Sequence, residues 1–198
     1  MISVRSLEKR FGTTRALDRI DLEVADNETV LVAGPNGSGK TTLLRALAGL
    51  IRPTSGTVTI DGASPRSQRA RIGYLGHDSH LYPHLSVTEN LTFFARLYGV
   101  SSEQSREWLD RVGLAHKSGA EAGTLSRGEL QKAAIARSLV HDPDIVLVDE
   151  PFTGLDRDAA EALPAWLPRA RRTIVVAGHD LERAAALGGR MLFIDRGR

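Results

Sequence analysis

The sequence predicts an α/β fold: a mostly parallel sheet with an antiparallel β edge and an inserted α-helical subdomain. Three observations predict it. The apolar run Val30-Leu31-Val32-Ala33 passes through a glycine-rich stretch, Gly34-Pro35-Asn36-Gly37-Ser38-Gly39-Lys40-Thr41-Thr42, into the helical pattern Leu43-Leu44-Arg45-Ala46-Leu47. Further apolar runs at 145–148, 173–177 and 191–194 are separated by helical stretches, the pattern of parallel strands covered on both faces. From residue 81 to 139 the period turns helical. One domain over 1–198 is therefore expected, with 1–80 and 140–198 as its α/β core and 81–139 as the helical insert.

Taken in order, Ile2 to Val4 and Ile20 to Val24 alternate apolar and polar residues and read as half-buried strands. Phe11-Gly12 falls in a polar loop between them, where the ring can stack on a purine or plug the edge of the core. Asp26-Asn27-Glu28 makes a turn, and Thr29 to Ala33 a buried strand. The helix after the glycines carries Leu43, Leu44, Leu47 and Leu50 as one stripe and closes near Gly49. Gly56 to Ile60 is a short strand ending in the turn Asp61-Gly62; Arg66 to Arg71 is basic and exposed; Ile72 to Leu75 is the next strand. Ser86-x-x-Glu89 is a capping box opening a helix whose apolar face is Leu91, Phe94, Leu97 and Tyr98, and a second helix spans Glu103 to Val112, ended by Gly113.

Composition excludes several partner classes. A hydrophobic content of 41% and a charged content of 25% are those of a globular chain. Lys+Arg of 26 against Asp+Glu of 24 leaves a net charge of +2, so no nucleic-acid partner is expected. There is no cysteine, hence no disulfide framework or thiolate chemistry. The first residues lack the apolar region of a signal peptide and no apolar run reaches membrane-spanning length, so membrane association is expected only through a partner.

The glycine-rich stretch is a phosphate-binding P-loop. Gly34, Gly37 and Gly39 let backbone N–H groups wrap a triphosphate, with Pro35, Asn36, Ser38 and Thr42 completing the cradle. Lys40 places an ammonium near the β and γ phosphates, and the Thr41 hydroxyl suits magnesium. Asp149-Glu150 ends the buried run 145–148, at the strand end where α/β sheets bind ligands. Asp149 suits the magnesium shell and Glu150 suits activating water. Ser126-x-x-Glu129 caps a helix running through Leu139; a helix start preceded by Ser is also a ready anion site. His179, after the run 173–177, can touch a γ-phosphate or cap the next helix. His77, His80 and His84 offer a weak metal-ligand set, with no evident fourth ligand.

In this order GPNGSGKT, LSRGE, IVLVDEP, TGLD at Thr153 to Asp156 and His179 resemble the nucleotide-binding subunit of ABC transporters over essentially the whole chain. The resemblance implies a P-loop NTPase of RecA-like fold that binds ATP and magnesium. It implies a homodimer of nucleotide-binding domains on the cytoplasmic face of the membrane, bound to membrane-spanning subunits. It also implies that Phe11 stacks on adenine, Ser126 and Gly128 meet the γ-phosphate held by a second copy, Asp156 spans the dimer interface, and Glu150, His179 and Lys40 serve catalysis. Two departures stand out. Arg127 and Glu129 replace a Gly and the Gln of the usual LSGGQ, and His77 stands where the Q-loop glutamine, beside the metal, is usual. The run from Tyr74 to Val100, Arg127 and the ending at Gly197-Arg198 are similar to the ATPases of bacterial haem exporters used in cytochrome c maturation. Drug-type and polysaccharide-type exporter ATPases, and soluble ABC ATPases outside transport, are the alternatives.

Overall fold

The computed structural model describes residues 1–167, 172–179 and 187–198. Two sheets form. Strands β1 (Ile2–Phe11), β2 (Thr14–Val24) and β4 (Ser55–Ile60) make an antiparallel sheet in the order β2-β1-β4. Strands β3 (Thr29–Ala33), β5 (Ile72–Leu75), β6 (Ile145–Asp149), β7 (Thr173–Ala177) and β8 (Arg190–Phe193) make a parallel sheet in the order β5-β6-β7-β3-β8. The alternating pattern builds the first sheet because one of its faces is wet, and the unbroken apolar runs build the second because β3, β6 and β7 are buried at every residue.

The chain divides into two compact units. The first comprises Met1–Gly76, Asp144–Pro151 and Arg169–Arg198 and holds both sheets with helix α1 (Lys40–Leu47). Its core joins Ile2, Val4 and Leu7 of the outer sheet to Val30, Val32, Leu147 and Val175 of the parallel sheet through Leu43, Leu44 and Leu47 of α1. The second comprises His77–Pro143 and Phe152–Pro168, so residues 152–168, read from sequence with the core, cluster with the helices. It contains α2 (Val87–Leu97), α3 (Glu103–Arg111), α4 (Arg127–Leu139) and α5 (Arg157–Trp166). Asn90, fully buried, ties the loop before α2: its amide donates to the carbonyls of Tyr82, Leu85 and Ser86 at 3.0–3.1 Å and its oxygen accepts from the Tyr82 N–H at 2.7 Å.

Several expectations fail, each for a local reason. Phe11 ends β1 rather than sitting in a loop, and at 53% exposure it plugs nothing; the ring lies under the Lys9 ammonium, 5.0 Å from its centroid. Leu50 is 58% exposed because α1 ends at Leu47 and the chain turns at Gly49 before completing the stripe. Leu97 is 64% exposed; the buried face of α2 is Val87, Asn90, Leu91 and Ala95, one position off the expected stripe. Strand β8 is not covered on both faces: it is the sheet's edge, and Met191 and Phe193 are exposed.

Candidate functional site

Three neighbouring strands bring the site together at one edge. In the order β6-β7-β3 the carboxyl ends carry Asp149-Glu150, Gly178-His179 and the P-loop, and the register aligns Asp149 with Ala177 and Val32 with Ala177. These residues therefore leave the sheet at one level, at the carboxyl ends where open α/β sheets bind ligands.

Two of the P-loop's glycines, Gly34 and Gly39, are required by contact as well as by torsion. A Cβ on Gly34, at φ 150°, would meet the Ile194 carbonyl oxygen at 2.1 Å; one on Gly39, at φ 110°, would meet the Ala16 oxygen at 2.5 Å. Pro35, Asn36 and Gly37 form the exposed tip, while Ser38 and Lys40 are buried. Lys40 lies back across the loop, its ammonium donating to the carbonyls of Gly34 at 2.8 Å and Pro35 at 3.0 Å. Helix α1 begins at Lys40 without a side-chain cap and without an acid in its first turn, so its end keeps the partial positive charge that favours an anion.

The two carboxylates diverge because Glu150 takes φ 52°, a left-handed torsion that turns the chain immediately after the strand, held by its N–H donating to the Ala177 carbonyl at 2.8 Å. Asp149 stays 2% exposed. Burial pushes its carboxyl above the ordinary aspartate range, against the lowering effect of a Thr41 hydrogen bond; the Glu150 charge adds to the rise, and Arg45 and Lys40 oppose it. Its Oδ1 is buried without a hydrogen-bond partner. A desolvated carboxylate with an orphaned oxygen, bonded to a threonine hydroxyl, is a donor set that fits a hard divalent cation completed by water and phosphate oxygens. Arg45 went unnoticed in the sequence; its signal is its place one turn after Thr41 on α1.

Glu150 is half-buried, and its Oε2 lies 2.8 Å from Nδ1 of the exposed His179. With Glu150 ionised, Nδ1 donates, so the imidazole orients the carboxylate; the expected capping of a helix by His179 lies outside the described residues.

Ser126, Gly128, Asp156 and His77 belong to the helical unit. Ser126 caps α4, its Oγ accepting from the Glu129 N–H at 3.3 Å while a Glu129 oxygen accepts from the Ser126 N–H at 2.9 Å. Both backbone and hydroxyl of Ser126 hold the Glu129 carboxyl below its usual range. The TGLD turn packs here: the Gly128 Cα faces the Gly154 carbonyl closely enough that a Cβ would sit 3.1 Å from it, and the Arg127 side chain lies against Gly154. Asp156 caps its own helix α5, accepting from Ala159 N–H at 2.8 Å, and pairs with Lys132 at 3.6 Å. His77 is exposed in a bend after β5. Among the described residues no three His, Cys, Asp or Glu side chains are grouped to hold a metal, so His77, His80 and His84 form no such set. No helix among them is long and apolar enough to cross a membrane.

The ABC transporter family profile matches residues 17–153. The chain is 35% identical over 213 residues to the ABC transporter ATP-binding protein NatA of Bacillus subtilis, covering all of this chain and 87% of that one. It is 38% identical over 212 residues to the sulfate/thiosulfate import ATP-binding protein CysA of Rhodopseudomonas palustris, where all of this chain spans 61% of the relative's length. The Nod factor export ATP-binding protein I of Burkholderia orbicola is 36% identical over 209 residues, with 100% of this chain and 68% of that protein covered. Among solved structures, a dimeric ATP-binding cassette in a post-hydrolysis state bound to ADP and Pi superposes with TM-score 0.91 at 28% identity, covering 100% of this chain and 95% of that one.

Proposed function

We propose, from the premise that this chain belongs to the ABC transporter family and is one of its ATPases, that two copies close over two ATP molecules and drive export through membrane-spanning subunits. The observation that carries hydrolysis is the Glu150–His179 contact at 2.8 Å beside the buried Asp149 and the P-loop. In this reading the amides of residues 36–41 and the Lys40 ammonium hold the triphosphate, and Phe11, exposed at the hairpin end, stacks on adenine. Thr41 and Asp149 hold magnesium, which supplies charge neutralisation at the phosphates. Glu150 accepts the proton of the attacking water, and His179 fixes the carboxylate's orientation and reaches the γ-phosphate. Ser126 and Gly128 of each copy close the other's site, with Asp156 between them.

Glu150→Gln is expected to bind ATP within about threefold of the wild type while steady-state phosphate release falls ~10²-fold or more. Undiminished turnover would remove Glu150 from its role. His77 takes the Q-loop place near the metal: His77→Gln keeps most of the activity in the assembled transporter and His77→Ala loses it, and wild-type behaviour of both would make the position a spectator.

The cargo assigned is haem, on the run from Tyr74 to Val100 and on Arg127, with the chain peripheral on the cytoplasmic face. A second reading, import, is favoured by the 38% identity to a sulfate/thiosulfate import protein. Inside-out vesicles carrying the co-purified membrane subunits separate the two. ATP-dependent haem uptake into the vesicle lumen supports export, and ATP-dependent sulfate release from preloaded vesicles supports import.

A further inference from the structure

The last residues of the chain grip the P-loop from behind. After β8 the chain makes a closed turn in which Asp195 N–H donates to Arg198 O at 2.9 Å and Arg198 N–H to Asp195 O at 3.0 Å. From this turn Gly197 N–H donates to the carbonyl of Ser38 at 2.9 Å, and the Gly197 carbonyl accepts from Asp18 N–H on β2 at 2.8 Å. The Asp18 side chain, 4% exposed, faces three arginines: Arg198 reaches Oδ2 through Nε and a terminal nitrogen at 2.7 Å each, Arg15 reaches Oδ1 at 2.8 Å, and Arg19 stands 3.6 Å away. The hydrogen bond from Arg198, aided by the three positive charges, holds this buried carboxyl below the ordinary aspartate range.

The Ser38–Gly39 peptide is planar and trans, so its C=O and N–H point in opposite directions. Gly197 holds the Ser38 oxygen on the tail side; the Gly39 N–H is thereby aimed away from the tail, and rotation of this peptide plane would break the Gly197 bond. The fit leaves no slack: a Cβ on Gly197 would meet the Ala16 oxygen at 2.8 Å, the same oxygen that excludes a side chain from Gly39.

We infer that Arg198, acting through Asp18 and the 195–198 turn, is a positioning residue for ATP: it presets the Ser38–Gly39 amide of the phosphate cradle. The inference rests on the ATP-binding reading of this loop. It predicts a defect in binding with chemistry spared, because neither Arg198 nor Asp18 touches Glu150 or His179.

Arg198→Ala is expected to weaken ATP binding, measured by titration of a fluorescent ATP analogue into the purified chain, about tenfold, a size usual for outer-shell partners that orient ligating groups. KM for ATP should rise in step while kcat at saturating ATP stays within about twofold. Arg198→Lys, which keeps a charge but not the two-nitrogen grip, should recover part of the loss, and adding Asp18→Asn to Arg198→Ala should cost little more. Val58→Ala in the same unit's core serves as the stability control, since it lowers the melting temperature without touching the turn. Wild-type affinity in Arg198→Ala, or an equal loss of affinity in Val58→Ala, overturns the inference while leaving the ATPase reading intact. Failure of the wild-type chain itself to bind the analogue overturns both.

Discussion

Two helix starts in this chain offer backbone N–H groups to an anion, and they are finished in opposite ways. Helix α1 follows Gly39, has no side-chain cap and no acid in its first turn, and carries Lys40 as its first residue. Helix α4 follows Ser126 and is closed by a full capping box whose Glu129 carboxylate sits in the first turn. The N-terminus of α2 repeats the second solution with Ser86 and Glu89. A capping box therefore does not by itself mark an anion site: α1 leaves its donors for a ligand, whereas α4 has used the Ser126 and Glu129 N–H groups in its own cap and placed a negative charge beside the rest. If α4 meets phosphate, as the dimer reading requires, it does so against that charge, which the Lys117 ammonium compensates in part from 3.5 Å.

The largest effect should come from the α1 side. Lys40→Ala is expected to reduce ATP affinity about 100-fold, the scale of losing a charge-assisted contact of about 3 kcal/mol. Affinity within threefold of wild type would show that the loop amides alone carry binding. On the α4 side, Glu129→Gln retains a capping side chain but removes the charge, so KM for ATP in the dimerising enzyme should fall roughly two- to fivefold. An unchanged KM would mean that this helix start does not face phosphate.

The smallest effect concerns the buried carboxylate that serves α1. Asp149 has its folded pKa raised above the unfolded value, so the folded state holds the proton more tightly, and its contribution to stability declines as pH rises from the unfolded value through the folded one. Asp149→Asn should then raise the melting temperature of the nucleotide-free protein by about 2–5 °C at neutral pH, with the gain vanishing near pH 4. A variant that melts lower at neutral pH would show that the carboxylate is already stabilised there.

Much of the site was legible from residue order because its parts are local. The strand, glycines, lysine and helix of residues 30–47 are contiguous, and so is the pair Asp149-Glu150 on its apolar run. Both capping boxes were likewise written in four-residue windows and appear with both reciprocal bonds. Stripe assignments failed where a turn intervened, as at Leu50, or where the helix was rotated by one position, as at Leu97. Phe11 was ambiguous because an aromatic residue near a strand end has the same local sequence whether it is buried or exposed.

By itself the sequence determined most of the strands and helices, the glycine-rich loop between β3 and α1 and the acidic pair, since glycine torsions, capping and apolar periodicity act over a few residues. Only the tertiary structure decided what those parts face. Strand order put β7 between β6 and β3, which brought Glu150 to His179 across 29 positions, and burial decided which of two adjacent carboxylates lost its water. The Asp18–Arg198 contact joins residues 180 positions apart, and no window of sequence contains it. Pairings of that kind depend on how two sheets and one helix close on a shared core, and packing of that kind has no short-range signature.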